Sequence, residues 1–247
     1  MVKTLVQSVL RPFGLRLSRL DSERAPDFGS VVLFATLQRF GFSPRLVLDV
    51  GANHGNWTRS ALSYFPNAEY VLIEPQDYLK AHIQDLIDSG KKVHWIGAGA
   101  ADKSGTRRFY LSDRDDSSTF LPRELQPQTR VASETVVDVK TLDDIRLTYN
   151  LAVPDMVKID AEGFDLKVLE GASSLIGKTD VFLLEAGAIC PFENSVGQVI
   201  RTMDELGYRL LDITELNRSP KHGVLWLTEL AFLRKSSPLL ANVTSYE

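Results

Sequence analysis

The stretch Leu46-Val47-Leu48-Asp49-Val50-Gly51-Ala52-Asn53-His54-Gly55 decides the fold. Its first five residues read as a buried parallel strand, and the glycines that follow turn the chain sharply. A helix-period stretch, 56–65, comes next, and then a second apolar run, 70–73, that ends at Glu74. Strand, glycine turn, helix, strand and acid in that order open a doubly wound α/β sheet. Glycines at the carboxyl edge of a first strand let a ligand approach the backbone, and the next helix points its amides at that ligand. Asn53 stands where a further glycine would, because Asn tolerates positive φ better than other side chains. Glu74 is placed to accept the two hydroxyls of a ribose.

The alternation continues outward. Further strands are expected at 92–96, 155–159 and 180–184, with helices at 28–40, 76–89, 164–176 and 195–206. Two late runs, 208–213 and 224–233, suit a terminal antiparallel pair, and 106–111 and 134–139 read as extra strands. The expected fold is α/β: a mostly parallel, doubly wound sheet of about seven strands with an N-terminal helical extension. Residues 112–133 have no period, and a structureless stretch that long inside a domain is usually functional. The division expected is an arm or lid at 1–44, one domain at 45–235 and a tail at 236–247.

Charge and cysteine usage narrow the function classes. Twenty-eight Lys and Arg against 32 Asp and Glu leave a net charge of −4, so no global basic field exists to hold nucleic acid. A single cysteine, Cys190, excludes an internal disulfide framework and a Cys-based zinc site. The N-terminus lacks the long apolar run of a signal peptide, and a cytoplasmic location is expected. Val2, Leu5, Val6, Val9, Phe13, Leu17 and Leu20 form a helical stripe broken by Pro12 and Gly14. It suits a lid over the domain, or a weak peripheral contact with the inner face of a membrane through residues 1–20.

The strand at 155–159 runs into Asp160 and Glu162. Residues two apart share a face of a strand, so Lys158, Asp160 and Glu162 are expected to point one way. Lys158 neutralises one carboxylate. The other becomes a base whose pKa is raised by its like-charged neighbour. Glu185, ending the next strand, can join them, and three acids at one edge are an alternative oxygen site for a divalent cation. No histidine spacing supports a transition metal, so no metal ligand is assigned. His222, in the late loop Arg218–Gly223, is the histidine that can reach an acceptor. Gly171 to Thr179 imitates a phosphate loop but has the wrong glycine spacing and runs from helix to strand.

The pattern Asp49-x-Gly51-x-Asn53-x-Gly55 resembles that of class I S-adenosylmethionine methyltransferases. Val157-Lys-Ile-Asp160-Ala-Glu162-Gly-Phe-Asp165, followed by Val168-Leu-Glu-Gly-Ala172, resembles the signature of the FkbM methyltransferases. Ile73-Glu-Pro75, Ala100–Gly105, Ser117-Ser-Thr119 and Thr141–Asp144 match further landmarks, so the likeness covers about 45–235. It implies O-methylation with S-adenosylmethionine as cofactor, on a small molecule or a glycan hydroxyl. It also implies cofactor contacts around Asp49, from Gly51, Asn53, Gly55, Thr58, Glu74, Ala98 and Ala100; the carboxylate strand and the late loop put forward Asp160, Glu162, Lys158 and His222 for catalysis. Two other readings of the same unit stay open: an NAD(P)-dependent oxidoreductase and a catalytically silent cofactor-binding module.

Overall fold

The computed structural model describes residues 28–114, 117–122, 124–125, 130–189, 193–241 and 243–245. The stripe at 1–20, with its lid or membrane role, and Cys190 lie outside the described residues. In chain order the elements are α1 (Phe28–Arg39), β1 (Leu46–Val50), α2 (Asn56–Tyr64) and β2 (Glu69–Ile73). A 3₁₀ stretch, Asp77–Ile83, then runs into α3 (Gln84–Asp88), followed by β3 (Val93–Ile96), β4 (Gly99–Ala100), β5 (Gly105–Ser112) and β6 (Val131–Lys140). After these come α4 (Leu142–Thr148), β7 (Met156–Ile159), α5 (Asp165–Glu170), β8 (Val181–Gly187), α6 (Val196–Glu205), β9 (Tyr208–Arg218) and β10 (Leu225–Arg234).

Seven strands form one sheet in the order β3-β2-β1-β7-β8-β10-β9. Only β10 runs against its neighbours; the other pairings are parallel. This is the doubly wound α/β fold expected from the sequence, with the chain reversing direction across the sheet between β1 and β7. The switch point places the carboxyl ends of both strands at one crevice. Strands β4, β6 and β5 build a separate three-stranded sheet between β3 and α4.

Both faces of the main sheet are covered. All five residues of β1 are buried, as a central parallel strand requires. Helix α1 is part of the packing: Leu33, Phe34 and Leu37 are buried, and the Phe34 ring meets Trp57 edge-on at 5.3 Å and Phe65 at 5.8 Å. Each such ring contributes roughly 1.5–3 kcal/mol by leaving water.

One expected helix is shorter than its periodicity suggested, and the strand expected at 155–159 ends where expected. The helix expected at 164–176 ends at Glu170, where Gly171 crosses so close to Ala101 that a Cβ would lie 2.2 Å from its carbonyl oxygen. Strand β7 stops at Ile159, because Glu162 (φ 51°) and Gly163 (φ 88°) are left-handed and turn the chain. The alternation that put Asp160 and Glu162 on one strand face therefore does not extend to Glu162. The turn, not the pleat, sets its position.

Candidate functional site

The turn after β1 is fixed by its neighbours. Gly51, Asn53 and Gly55 all adopt positive φ, at 72°, 46° and 72°. A Cβ on Gly51 would lie 1.8 Å from the Asp160 carbonyl oxygen, and one on Gly55 would lie 2.8 Å from Ile83 Cγ2. Both glycines are therefore demanded by backbone conformation and by packing against protein. Gly51 also lines the crevice at the switch point, where close approach to a ligand, the reason offered by the sequence, would act.

Glu74 braces this turn. Its Oε2 accepts from the Asn53 N–H at 3.0 Å, and its Oε1 accepts from the Gln76 N–H at 3.0 Å and Gln76 Nε2 at 3.2 Å. Burial pushes the carboxyl up from its ordinary range, with those donors opposing the shift. A carboxylate has about four acceptor positions, so one remains beyond these three donors. Gln76 Oε1 in turn accepts from Ser118 Oγ at 3.1 Å and Tyr78 Oη at 2.8 Å.

Ser118 brings in the long connection between β5 and β6. Thr119 pairs with Tyr110 of β5 through two backbone bonds, and Thr119 Oγ1 donates to the Glu162 carbonyl at 2.9 Å. Its neighbour Phe120 stacks between Phe109 (4.8 Å) and Phe164 (5.6 Å). The described part of the aperiodic stretch is thus pinned over the switch point, closing a cavity of about 90 Å³. Gly51, Asn53, Glu74, Ala100, Asp160 and Glu162 line it, with Ile73, Phe109 and Phe120 as apolar walls. Of the other expected cofactor residues, Asp49, Gly55, Thr58 and Ala98 lie behind this surface. Thr58 Oγ1 donates to the fully buried Asp49 at 2.5 Å, which holds α2 against β1.

Lys158 connects that layer to the carboxylates. Its ammonium is buried and lies 3.0 Å from Asp160 Oδ2, 3.3 Å from the Gly51 carbonyl oxygen and 3.6 Å from Asp49 Oδ1. Burial alone would push this lysine down, but Asp160, Asp49 and Glu229 together outweigh it and hold the ammonium charged. Asp160 is thereby oriented through one oxygen.

The carboxylates form a group that the sequence only partly named. Oxygens of Asp160, Glu162 and Glu185 lie within 4.8 Å of one another. Burial, then the charges of Asp160, Glu162, Asp165 and Glu215, push the Glu185 carboxyl well above the ordinary range. Burial and Asp160 push Asp165 up to about 8. The raised acids are therefore Asp165 and Glu185, behind the turn. Asp165 accepts from the N–H groups of Ala161 (3.4 Å) and Gly163 (3.2 Å) and from Asn194 Nδ2 (3.2 Å). Asn194 also donates to the Glu185 carbonyl at 3.0 Å. The sequence showed Asp165 only as the last residue of the Val157–Asp165 signature, with no role; Asn194 carried no signal.

A wider cavity of about 760 Å³ opens on the far side of Asp160 and Glu162, which line both spaces. His222 lines only the wider one. Asp102 faces neither: it accepts from Arg107 Nη2 at 2.9 Å, and that guanidinium lies 4.6 Å over the Phe164 ring.

A family model described as a methyltransferase FkbM domain matches residues 49–210. Among curated proteins, none matches the chain. Solved structures with a similar fold include the O-methyltransferase TomG from Streptomyces achromogenes, at 17% identity over 94% of this chain and 88% of that one (TM-score 0.48). Magnesium protoporphyrin IX methyltransferase from Synechocystis is similar at 10% identity over 94% and 96% (TM-score 0.47). So is 1,6-didemethyltoxoflavin-N1-methyltransferase from Burkholderia thailandensis, at 10% over 95% and 88% (TM-score 0.46).

Proposed function

Because this chain belongs to the FkbM methyltransferase family, whose donor is S-adenosylmethionine, we propose that it methylates a hydroxyl oxygen on a sugar-type acceptor. The observation that carries the reading is the place of Asp160 and Glu162, which line both the small cavity and the wide one.

The residues present fit the donor. Glu74 keeps an acceptor position for a ribose diol, Ile73, Ala100, Phe109 and Phe120 offer an apolar wall for a purine, and Asp160 suits a cationic centre. When bound, the donor supplies an electrophilic methyl group on a sulfonium; transfer to a hydroxyl forms C–O, breaks C–S, and releases one proton. Asp160 receives that proton. Lys158 holds its Oδ2, which leaves Oδ1 to meet the acceptor. Glu185, raised toward its neutral form, adds no full negative charge beside it. Gly51, Asn53 and Glu74 position; they do not take part in proton transfer.

A second reading follows from the 4.8 Å grouping of Asp160, Glu162 and Glu185, which suits a divalent cation on oxygen ligands. The test is one assay: labelled S-adenosylmethionine, a panel of saccharides, and a chelator in a parallel arm. Label in a saccharide ether, undiminished by chelator, supports the proton-acceptor reading. Activity lost with chelator and restored by Mg²⁺ supports the cation. Label on nitrogen or carbon sinks hydroxyl transfer.

A further inference from the structure

Three half-buried acids, Asp160, Glu162 and Glu185, line the wide cavity, and two exposed acids, Asp113 and Glu215, line it as well. Four cations, Arg114, Arg130, Arg218 and Lys221, line the same cavity and are exposed. They come from two unrelated parts of the fold. Arg114 and Arg130 flank the connection from β5 to β6 in the small sheet, where the Asp113 N–H donates to the Arg130 carbonyl at 3.2 Å. Arg218 and Lys221 sit on the connection from β9 to β10 at the end of the main sheet.

The second connection is built to hold its shape. Ser219 N–H donates to the Val224 carbonyl at 2.9 Å, and Gly223 N–H to the Ser219 carbonyl at 2.8 Å. The His222 N–H donates to Ser219 Oγ at 3.2 Å, and Arg218 Nη1 donates to the Gly223 carbonyl at 3.3 Å. Arg130 Nη1 lies 3.7 Å from Asp113 Oδ2, whereas neither Arg218 nor Lys221 makes an ion pair among the described residues. The exposed part of the lining thus holds four cations against two acids, in a chain with four more acids than bases.

We propose that this mouth recognises a phosphate-bearing acceptor, and that the cavity's field orients it. This rests on the acceptor-side reading above. The phosphate, with up to two negative charges near neutral pH, stays at the rim with the arginine forks. The acids repel that end, so the uncharged hydroxyl end enters toward Asp160. The shared chemistry is a phosphate ester, carried either by a soluble sugar phosphate or by a lipid-linked saccharide.

The probe is inorganic pyrophosphate, titrated at low salt into the protein in the presence of S-adenosylmethionine and followed by calorimetry and by fluorescence of Trp226, which lines the cavity. Saturable binding is expected, weakened on the order of tenfold or more in Arg218→Ala/Lys221→Ala and in Arg114→Ala/Arg130→Ala. Donor affinity should stay as in wild type. Vesicles doped with phosphatidic acid form a second arm: rim-dependent sedimentation assigns the phosphate to a lipid, and soluble binding alone to a free sugar phosphate. No saturable pyrophosphate binding, or binding equal in wild type and both double variants, overturns the proposal. So does loss of melting temperature without loss of anion affinity, which would make the cations counter-charges for the acids. Methylation of neutral glycosides in preference to sugar phosphates would also overturn it, while leaving hydroxyl methylation standing.

Discussion

The two cavities that meet at Asp160 are made differently. The small one is walled by residues held in place by their own partners: Glu74 by three donors, Gln76 by Ser118 and Tyr78, and Gly51 by the Asp160 backbone pressed against it. The wide one has exposed side chains from two hairpin connections around an acidic interior. A ligand common to many enzymes is met by rigid backbone geometry, whereas a ligand particular to one enzyme is met by loops that vary at little expense to the core. The contrast supports the proposal that the donor takes the first space and the acceptor the second.

Gly51→Val attacks the rigid side most directly. A side chain there meets the Asp160 carbonyl and needs a left-handed backbone, so a loss of about 4 kcal/mol or more is expected. Thermal unfolding reads it out. A variant as stable as wild type that has lost only donor affinity would restore the ligand-approach explanation and break the packing one.

At the junction, Asp160→Asn keeps size and removes basicity. Turnover should fall about 10²–10⁴-fold with donor affinity nearly unchanged, measured by label transfer and calorimetry. Near-normal turnover would move proton transfer to Glu162 or His222.

Glu74→Ala should weaken the donor by about 1–3 kcal/mol, with acceptor KM little altered. Because the Asn53 N–H loses its acceptor, part of that loss should also appear as a lower melting temperature. Equal losses for donor and acceptor would dissolve the division between the cavities.

The effect expected of pH is a slope. Asp165 titrates near 8 in the folded chain and near 3.9 unfolded, so between those values the native state binds more protons. Its stabilising contribution is complete below about pH 4 and is lost as pH rises through 8. Melting temperature should therefore fall from pH 5 to 9 in wild type and fall less steeply in Asp165→Asn. Glu185, shifted in the same direction, leaves some slope in the variant. Identical profiles would remove Asp165 as its source.

Local pattern was enough for the sheet, because short apolar runs such as 46–50, glycine turns and intervening helices are written in adjacent residues. It was also enough for the positive φ of Asn53 and for the gathering of Gly51, Glu74, Asp160 and Glu162 at one edge. Burial of long-range partners was not legible. Nothing near Asn194 in the chain says that it bridges Asp165 and Glu185, and nothing near Thr119 says that its hydroxyl reaches Glu162. The reason Gly51 must be glycine is an oxygen 109 positions later in the sequence. Composition and periodicity fix which residues prefer strand, helix or turn; the chain crossing at β1 and β7 fixes which buried charges share a space, and so which carboxyls are raised.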